Sequence, residues 1–127
     1  MPGGRRILVF DDSVIIREVI VMELEGKGHT VAQAGTLTAF WSELAASRPD
    51  LIFLDINMPE VSGDDLCAQL RRTEGIEQIP IILMSSLPDE ELGALAVKCG
   101  ADGYLSKQRG IEELTRYLDD ILAQILF

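Results

Sequence analysis

Three aspartates, a serine and a lysine stand where short apolar segments of this sequence end. The segment ends read "FDDS", "LDINMP", "MSS" and "LSKQ", and they carry Asp11, Asp12, Asp55, Ser85 and Lys107. Carboxylate oxygens are ligands that Mg²⁺ prefers, and an aspartate can attack phosphorus as a nucleophile. A hydroxyl and an ammonium group can bind phosphoryl oxygens. These residues therefore predict Mg²⁺-assisted phosphoryl transfer onto Asp55.

The prediction requires the side chains to lie close together. Neighbouring carboxylates repel by about 4 kcal/mol per pair at about 4 Å and an effective dielectric constant near 20, so a bound cation must neutralise them. Lys107 supplies further positive charge. Each residue alone also has an ordinary explanation, as an acid at a helix N-terminus, a solvated lysine or a capping serine. Their coincidence at one edge of a sheet favours the functional interpretation.

Five apolar runs, at residues 6–10, 30–34, 51–55, 80–85 and 103–107, predict five strands. The first, third and fourth runs are continuously apolar, which is typical of central parallel strands covered on both faces. Segments long enough for helices lie between the runs. The order is thus βα repeated five times, an α/β doubly wound parallel sheet. In such sheets ligands bind beyond the carboxyl ends of the strands, where the five residues stand.

The first predicted helix conflicts with local propensity. Its segment "VIIREVIVMELEGKG" is rich in β-branched residues, which favour strands. Length and a polar face formed by Arg17, Glu18 and Glu25 decide for a helix, because a strand of this length would be unusual. In a later segment, Ser62 and Asp65 predict a capping box at a helix start.

Composition excludes several classes of protein. At 127 residues the chain fits one domain, and its formal net charge of −10 opposes direct binding to nucleic acid or to anionic membranes. No signal peptide or membrane span is visible, so we expect a cytoplasmic protein. Cys67 and Cys99, with one histidine in the chain, form neither a zinc pattern nor a disulfide framework and are expected to be inert.

Four segments resemble the signature regions of receiver domains from two-component response regulators. They are "VFDDS", "LIFLDINMPEVSG", "PIILMSS" and "GADGYLSK", and the likeness covers essentially the whole chain. The intervals between Asp12, Asp55, Ser85 and Lys107 are 43, 30 and 22 positions, within the usual range of the family. The resemblance implies a flavodoxin-like (βα)5 fold with strand order 2-1-3-4-5, and one receiver domain over residues 1–127.

The resemblance also implies the roles of the residues at the strand ends. Asp55 would be the phosphorylated residue of a phosphorelay. Asp12 would ligate Mg²⁺ directly, Asp11 mainly through water, and Asn57 through its backbone carbonyl. Lys107 would pair with the phosphoryl oxygens, and beforehand with the Asp55 carboxylate.

Two further residues would form the switch that follows phosphorylation. Ser85 would move to meet the phosphoryl group, and Tyr104 would rotate inward after it. The change would alter the surface of the fourth helix, fifth strand and fifth helix. Gly63, in the loop after Asp55, is expected to adopt a backbone conformation that other residues resist.

The implied phosphodonor is a phosphohistidine on a sensor histidine kinase or phosphotransfer protein. The output would be a downstream protein partner or a fused domain. Apolar residues of the first helix such as Ile15 and Val21 are candidates for donor docking, although burial explains them equally well. His29, in a polar turn with glycine on one side, is expected at the surface and not as a donor.

Gln108 departs from the family, in which proline usually follows the lysine with a cis peptide bond. Because a cis bond without proline costs about 2.5 to 4 kcal/mol, we expect a trans bond. This departure keeps open an alternative, a receiver fold that binds partners without being phosphorylated. A hydrolase of the haloacid dehalogenase type is disfavoured, because the first strand ends in Asp11, Asp12 and Ser13 without an Asp-x-Asp motif.

Overall fold

The computed structural model describes residues 4–108 and 110–126, in which strands and helices alternate as predicted. The elements are β1 (Arg6–Phe10), α1 (Val14–Gly26), β2 (Thr30–Ala34), α2 (Leu37–Ser47), β3 (Leu51–Asp55), α3 (Gly63–Arg71), β4 (Ile81–Ser85), α4 (Asp89–Cys99), β5 (Gly103–Ser106) and α5 (Ile111–Leu126).

The strands form one parallel sheet in the order β2-β1-β3-β4-β5. This order confirms the doubly wound, flavodoxin-like fold. Strands β3 and β4 are buried at every position, and β1 at all but its first, which explains their continuous apolar sequences. Because all five strands run the same way, their carboxyl ends meet along a single edge of the sheet.

Two apolar cores lie on opposite faces of this sheet. On one face, Ile7 and Val9 of β1 pack with side chains of α1 and α5. On the other face, Leu8 and Phe10 pack with α2, α3 and α4, and the Phe10 ring stacks on Phe40 with centroids 4.9 Å apart. The alternation along β1 therefore gives each face its own helical layer.

Helix α1 forms in spite of its β-branched residues. Ser13 caps it by accepting a hydrogen bond from the Ile16 N–H at 3.3 Å. Three residues of the helix itself are buried, namely Ile20, Val21 and Leu24. Tertiary burial thus outweighs local propensity. Val21 is only 7% exposed, so its suggested role in docking was wrong, whereas Ile15 is 66% exposed and stays a candidate.

The predicted capping box at α3 does not form. Ser62 is the N-cap residue but makes no capping hydrogen bond to the helix, and its hydroxyl donates to the Asp64 carboxylate. The partner of the hydroxyl is thus a side chain two positions along the chain and not a backbone N–H of the helix. His29 is half-buried, and its Nδ1 accepts the Arg5 N–H at 3.1 Å, so it is less exposed than expected.

The two cysteines are free and buried between α3 and α4. The Cys67 Sγ lies 3.5 Å from the Cys99 carbonyl oxygen, and burial raises the pKa of the Cys67 thiol to about 12. The thiol is therefore protonated near neutral pH and poorly nucleophilic, as expected for an inert cysteine. Within the described ranges, no helix combines the length and apolar character needed to cross a membrane.

Candidate functional site

The carboxyl edge of the sheet brings the predicted site residues together. Asp11 and Asp12 follow β1, Asp55 ends β3, Ser85 ends β4, and Lys107 follows β5. One carboxylate oxygen from each of the three aspartates lies within 4.8 Å of the other two. The close approach anticipated from the sequence is therefore present.

Lys107 bridges two of these carboxylates. Its Nζ lies 2.6 Å from Asp11 Oδ2 and 3.2 Å from Asp55 Oδ1, and its side chain is only 11% exposed. Asp11 and Asp55 are buried, whereas Asp12 is exposed. The site is thus a buried ion cluster that reaches solvent at Asp12.

Asp55 is electrostatically strained in this cluster. Its pKa is raised to about 7, chiefly by burial and in smaller part by the neighbouring Asp11 charge, although Lys107 and the Asn57 N–H act to lower it. One lysine cannot neutralise three ionised carboxylates. A second cation with a preference for oxygen ligands would complete the charge balance.

The loop after β3 holds Asp55 from two directions. The Asn57 N–H donates to Asp55 Oδ1 at 3.2 Å, and Asn57 forms an antiparallel bridge with Ser62 across the loop. Gly63 is buried beside the Asp55 backbone, where an added Cβ would lie 2.3 Å from the Asp55 carbonyl oxygen.

The predicted reason for glycine at position 63 was therefore wrong. Gly63 has no positive φ, so its backbone conformation is open to other residues. Space decides the residue type, because the first turn of α3 packs directly against the main chain of Asp55. A side chain of any size would separate the two.

Ser85 is fully buried at the end of β4 and is tied to the neighbouring loop and strand. Its Oγ accepts a hydrogen bond from the Leu87 N–H at 3.1 Å. Its carbonyl oxygen accepts the Lys107 N–H at 2.7 Å. The backbone of Lys107 thus fixes the serine, while the lysine side chain reaches the carboxylates.

Tyr104 lies on β5, away from the carboxylate cluster. Its side chain is partly exposed, at 38%, and the ring lies over Gly93 of α4, where an added Cβ would be 3.3 Å from Tyr104 Cε2. The ring is therefore in an outward position.

The Lys107–Gln108 peptide bond is trans, as predicted. The Gln108 N–H donates to Ser106 Oγ at 3.2 Å, and the Ser106 hydroxyl donates to the Leu87 carbonyl oxygen at 3.0 Å. Ser106 was not identified from the sequence. The sequence does contain a signal for it. Gln108, unlike proline, has a backbone N–H, and a serine two positions earlier is a suitable acceptor for it.

Arg17 was also missed as a residue of the site. Its Nη1 donates to the Asp11 carbonyl oxygen at 2.7 Å, and its Nε donates to Gln33 Oε1 at 3.0 Å. Its guanidinium lies against Gly35, where an added Cβ would be 2.7 Å from Nη1. The sequence offers one signal for this role, since Arg17 is a basic residue in the first turn of the helix that follows Asp11 and Asp12.

Comparison with known proteins agrees with this geometry. Residues 7–119 match the family model for the response regulator receiver domain. The chain is 34% identical over 119 residues to the phosphate regulon transcriptional regulatory protein PhoB of Pseudomonas aeruginosa, covering 94% of this chain and 52% of that protein. It is 37% identical over 108 residues to the KDP operon transcriptional regulatory protein KdpE of Escherichia coli, covering 85% and 47%. The chain thus spans about half the length of these relatives.

Solved structures show the same fold. The chemotaxis response regulator CheY4 of Vibrio cholerae superposes with a TM-score of 0.81 at 26% identity, covering 94% of this chain and 100% of that one. A two-component response regulator from Clostridium difficile gives a TM-score of 0.76 at 26% identity, covering 93% and 95%. With its fold, its acidic cluster and its match to the family model, the chain belongs to the receiver domains of two-component response regulators.

Proposed function

We propose that the chain accepts a phosphoryl group on Asp55 from a phosphohistidine donor, with Mg²⁺, and thereby switches a partner-binding surface. The observation that carries this proposal is the bridge made by Lys107 Nζ between Asp11 and Asp55. That arrangement places a cation beside the carboxylate oxygen that would attack. It also leaves the cluster short of positive charge, which favours the binding of Mg²⁺, and the ion together with Lys107 would offset the negative charge of a phosphoryl group.

The proposed reaction uses the carboxylate of Asp55 as the nucleophile. One of its oxygens bonds to phosphorus while the bond from phosphorus to the donor imidazole nitrogen breaks, and the imidazole leaves with the bonding electron pair. Lys107 would bind phosphoryl oxygens in place of the Asp55 carboxylate. Receiver domains are not classical enzymes. Catalysis of its own phosphorylation and dephosphorylation is part of this proposal.

The acidic cluster fits Mg²⁺ by the chemistry of its donors. Three carboxylates each offer an oxygen within 4.8 Å of the others, beside an exposed position at Asp12. Asp11, Asp12, Asp55 and the backbone carbonyl of Asn57 would hold the ion. When bound, Mg²⁺ would neutralise charge on the carboxylates and on the phosphoryl oxygens.

Ser85 and Tyr104 are the proposed switch. The Ser85 hydroxyl would leave the Leu87 N–H and donate to the phosphoryl group, and Tyr104 would turn inward from its place over Gly93. Both movements would alter the surface formed by α4, β5 and α5. Phosphorylation would act by shifting the population between two arrangements.

The proposed partners follow from the family and from charge. A sensor histidine kinase or a phosphotransfer protein would supply the phosphoryl group. A downstream protein or a fused output domain would receive the signal, since the relatives PhoB and KdpE are named transcriptional regulators and are about twice as long. The net charge of −10 makes DNA contact by this chain itself unfavourable.

The proposal extends to location and domain organisation. We propose that the protein acts in the cytoplasm, which cell fractionation would test. We also propose that residues 1–127 form one receiver domain, which would appear as a single cooperative unfolding transition.

Intact mass spectrometry after incubation with Mg²⁺ and acetyl phosphate tests the central claim. The wild-type protein should gain the mass of one phosphoryl group, and Asp55→Asn should not. Asp65→Asn, an exposed acid in the first turn of α3, is the matched control and should behave like wild type. A wild-type protein that never gains this mass would refute the proposal and favour the alternative, an interaction module that signals without phosphorylation.

A further inference from the structure

A chain of hydrogen bonds joins the loop after β5 to the loop after β4. The Gln108 N–H donates to Ser106 Oγ, and the Ser106 hydroxyl donates its proton to the Leu87 carbonyl oxygen, at 3.2 and 3.0 Å. On the other side of the same residue, the Leu87 N–H donates to Ser85 Oγ at 3.1 Å. Four residues thus form one connected path that ends at the proposed switch hydroxyl.

Each polar group along the path has a matching donor or acceptor. A serine hydroxyl has one proton to donate and lone pairs to accept, and Ser106 uses both functions here. Leu87 is held through its N–H and through its C=O, so its backbone is fixed from two sides. The sheet register supports this arrangement, since Ser85 of β4 and Ser106 of β5 are directly paired.

We propose that Ser106 and the backbone N–H of Gln108 are positioning residues that restrain Ser85 in its unphosphorylated position. This inference rests on the proposed function, because it concerns the movement of Ser85 toward a phosphoryl group on Asp55. Before Ser85 Oγ can make that movement, it must separate from the Leu87 N–H. The Ser106 hydroxyl holds Leu87 in the place where that contact is made.

Proline at position 108 could not take part in this path, because proline has no backbone N–H. The departure from the usual lysine-proline pair therefore has a structural consequence here. It adds a donor that orients the Ser106 hydroxyl, and the hydroxyl in turn orients Leu87. Hydrogen bonds linked in this way strengthen one another.

The first test compares Ser106→Thr with Ser106→Val. The two side chains have nearly the same volume and shape, but only threonine keeps the hydroxyl, so steric effects common to both cancel. Ser106→Val removes both hydrogen bonds of the hydroxyl, but only the one to the Leu87 carbonyl oxygen bears directly on the Ser85 contact. Losing one ordinary hydrogen bond changes a population by a factor of about 2 to 10. With Mg²⁺ and acetyl phosphate, we expect Ser106→Val to be phosphorylated about 2 to 10 times faster than Ser106→Thr, because the switched state is more populated.

A second readout follows the loop itself, without phosphorylation. In the restrained state the Leu87 amide proton is hydrogen-bonded, and it should exchange with solvent more slowly in Ser106→Thr than in Ser106→Val. The affinity for Mg²⁺, measured by titration, should be the same in both variants, since Ser106 is not among the proposed ligands. A merely structural role for Ser106 would lower stability without accelerating phosphorylation.

The third test uses Gln108→Pro against Gln108→Ala. The alanine variant keeps the backbone N–H and should be phosphorylated at the wild-type rate, whereas the proline variant should be faster. If both residues act through one path, Gln108→Pro should add little to the effect of Ser106→Val in the double variant.

The outcomes separate this inference from the proposed function. If the wild-type protein gains no phosphoryl group, both are overturned. If it is phosphorylated and the threonine and valine variants react at equal rates, the restraint is refuted and the phosphoacceptor role stands. Additive effects of Ser106→Val and Gln108→Pro would refute the single path.

Discussion

Replacing Asp55 with asparagine should stabilise the metal-free protein at alkaline pH. Asp55 is 3% exposed and shares Lys107 with Asp11. Its pKa is raised from 3.8 to about 7, chiefly by burial. The folded protein therefore holds this proton more tightly than the unfolded chain does. The resulting stability is fully present below pH 3.8 and is lost as the pH rises through about 7.

The size of the effect follows from the difference between the two pKa values. A difference of about 3 units corresponds to at most about 4 kcal/mol at pH 8, where folded Asp55 is ionised. At pH 5 only the pH interval between the unfolded pKa of 3.8 and pH 5 contributes, and the loss of stability is then about 2 kcal/mol. This difference already includes the attraction of Lys107 for the ionised carboxylate. Asparagine differs from a protonated carboxyl in its hydrogen-bonding groups, so we expect a net gain below this maximum, about 1 to 3 kcal/mol at pH 8.

Urea unfolding in the presence of EDTA measures this difference, with circular dichroism at pH 8 and pH 5. Asp55→Asn should be more stable than wild type at pH 8, and the gap should shrink by about 2 kcal/mol at pH 5. A variant less stable than wild type at pH 8 would refute the reasoning. A gap that does not change with pH would show that charge is not its cause.

Three further predictions concern Gly63, Lys107 and Mg²⁺. Gly63→Ala should lose at least about 2 kcal/mol of unfolding free energy, because its Cβ would meet the Asp55 carbonyl oxygen at 2.3 Å. Gly26→Ala, with open space around the new Cβ, is its control and should stay within about 0.5 kcal/mol of wild type. Lys107→Met should slow phosphorylation by acetyl phosphate about a hundredfold, with exposed Lys98→Met as the control. Mg²⁺ at about 100 times its dissociation constant should add about 2.7 kcal/mol to wild-type stability in urea unfolding, and less in Asp55→Asn.

Each of these predictions has a result that contradicts it. A Gly63→Ala protein as stable as wild type would show that α3 can move away from Asp55 without cost. Equal phosphorylation rates for Lys107→Met and Lys98→Met would show that Lys107 has no part in the proposed reaction. An unfolding free energy that does not change with Mg²⁺ would show that the acidic cluster does not bind Mg²⁺.

The grouping of the site residues at the strand ends was predictable from the strand pattern and the parallel topology, which can both be recognised from the sequence. Once β1, β3, β4 and β5 are recognised as parallel neighbours, Asp11, Asp55, Ser85 and Lys107 must share one edge. No side-chain detail is needed for that conclusion. The strand order and the family likeness agree with it.

Features that depend on a few ångströms of packing were not predictable. Val21 and Ile15 are both apolar residues of α1, and only the helix orientation decides which one is buried. Ser62 could have capped α3, but its hydroxyl donates to the Asp64 carboxylate and accepts no hydrogen bond from the helix backbone. The importance of Ser106 depends on its distance from Leu87, which lies 19 positions away in sequence.

The contact between Gly63 and the Asp55 backbone distinguishes one side of the site from the side that carries the proposed switch. Because no side chain separates the start of α3 from Asp55, the two segments pack backbone against backbone. The Ser85 hydroxyl, by contrast, accepts a hydrogen bond from the Leu87 N–H, which the proposed switch would exchange for a contact with the phosphoryl group. If the proposed switch operates, a fluorescent reporter of phosphorylation belongs on α4, and its reference dye on α3.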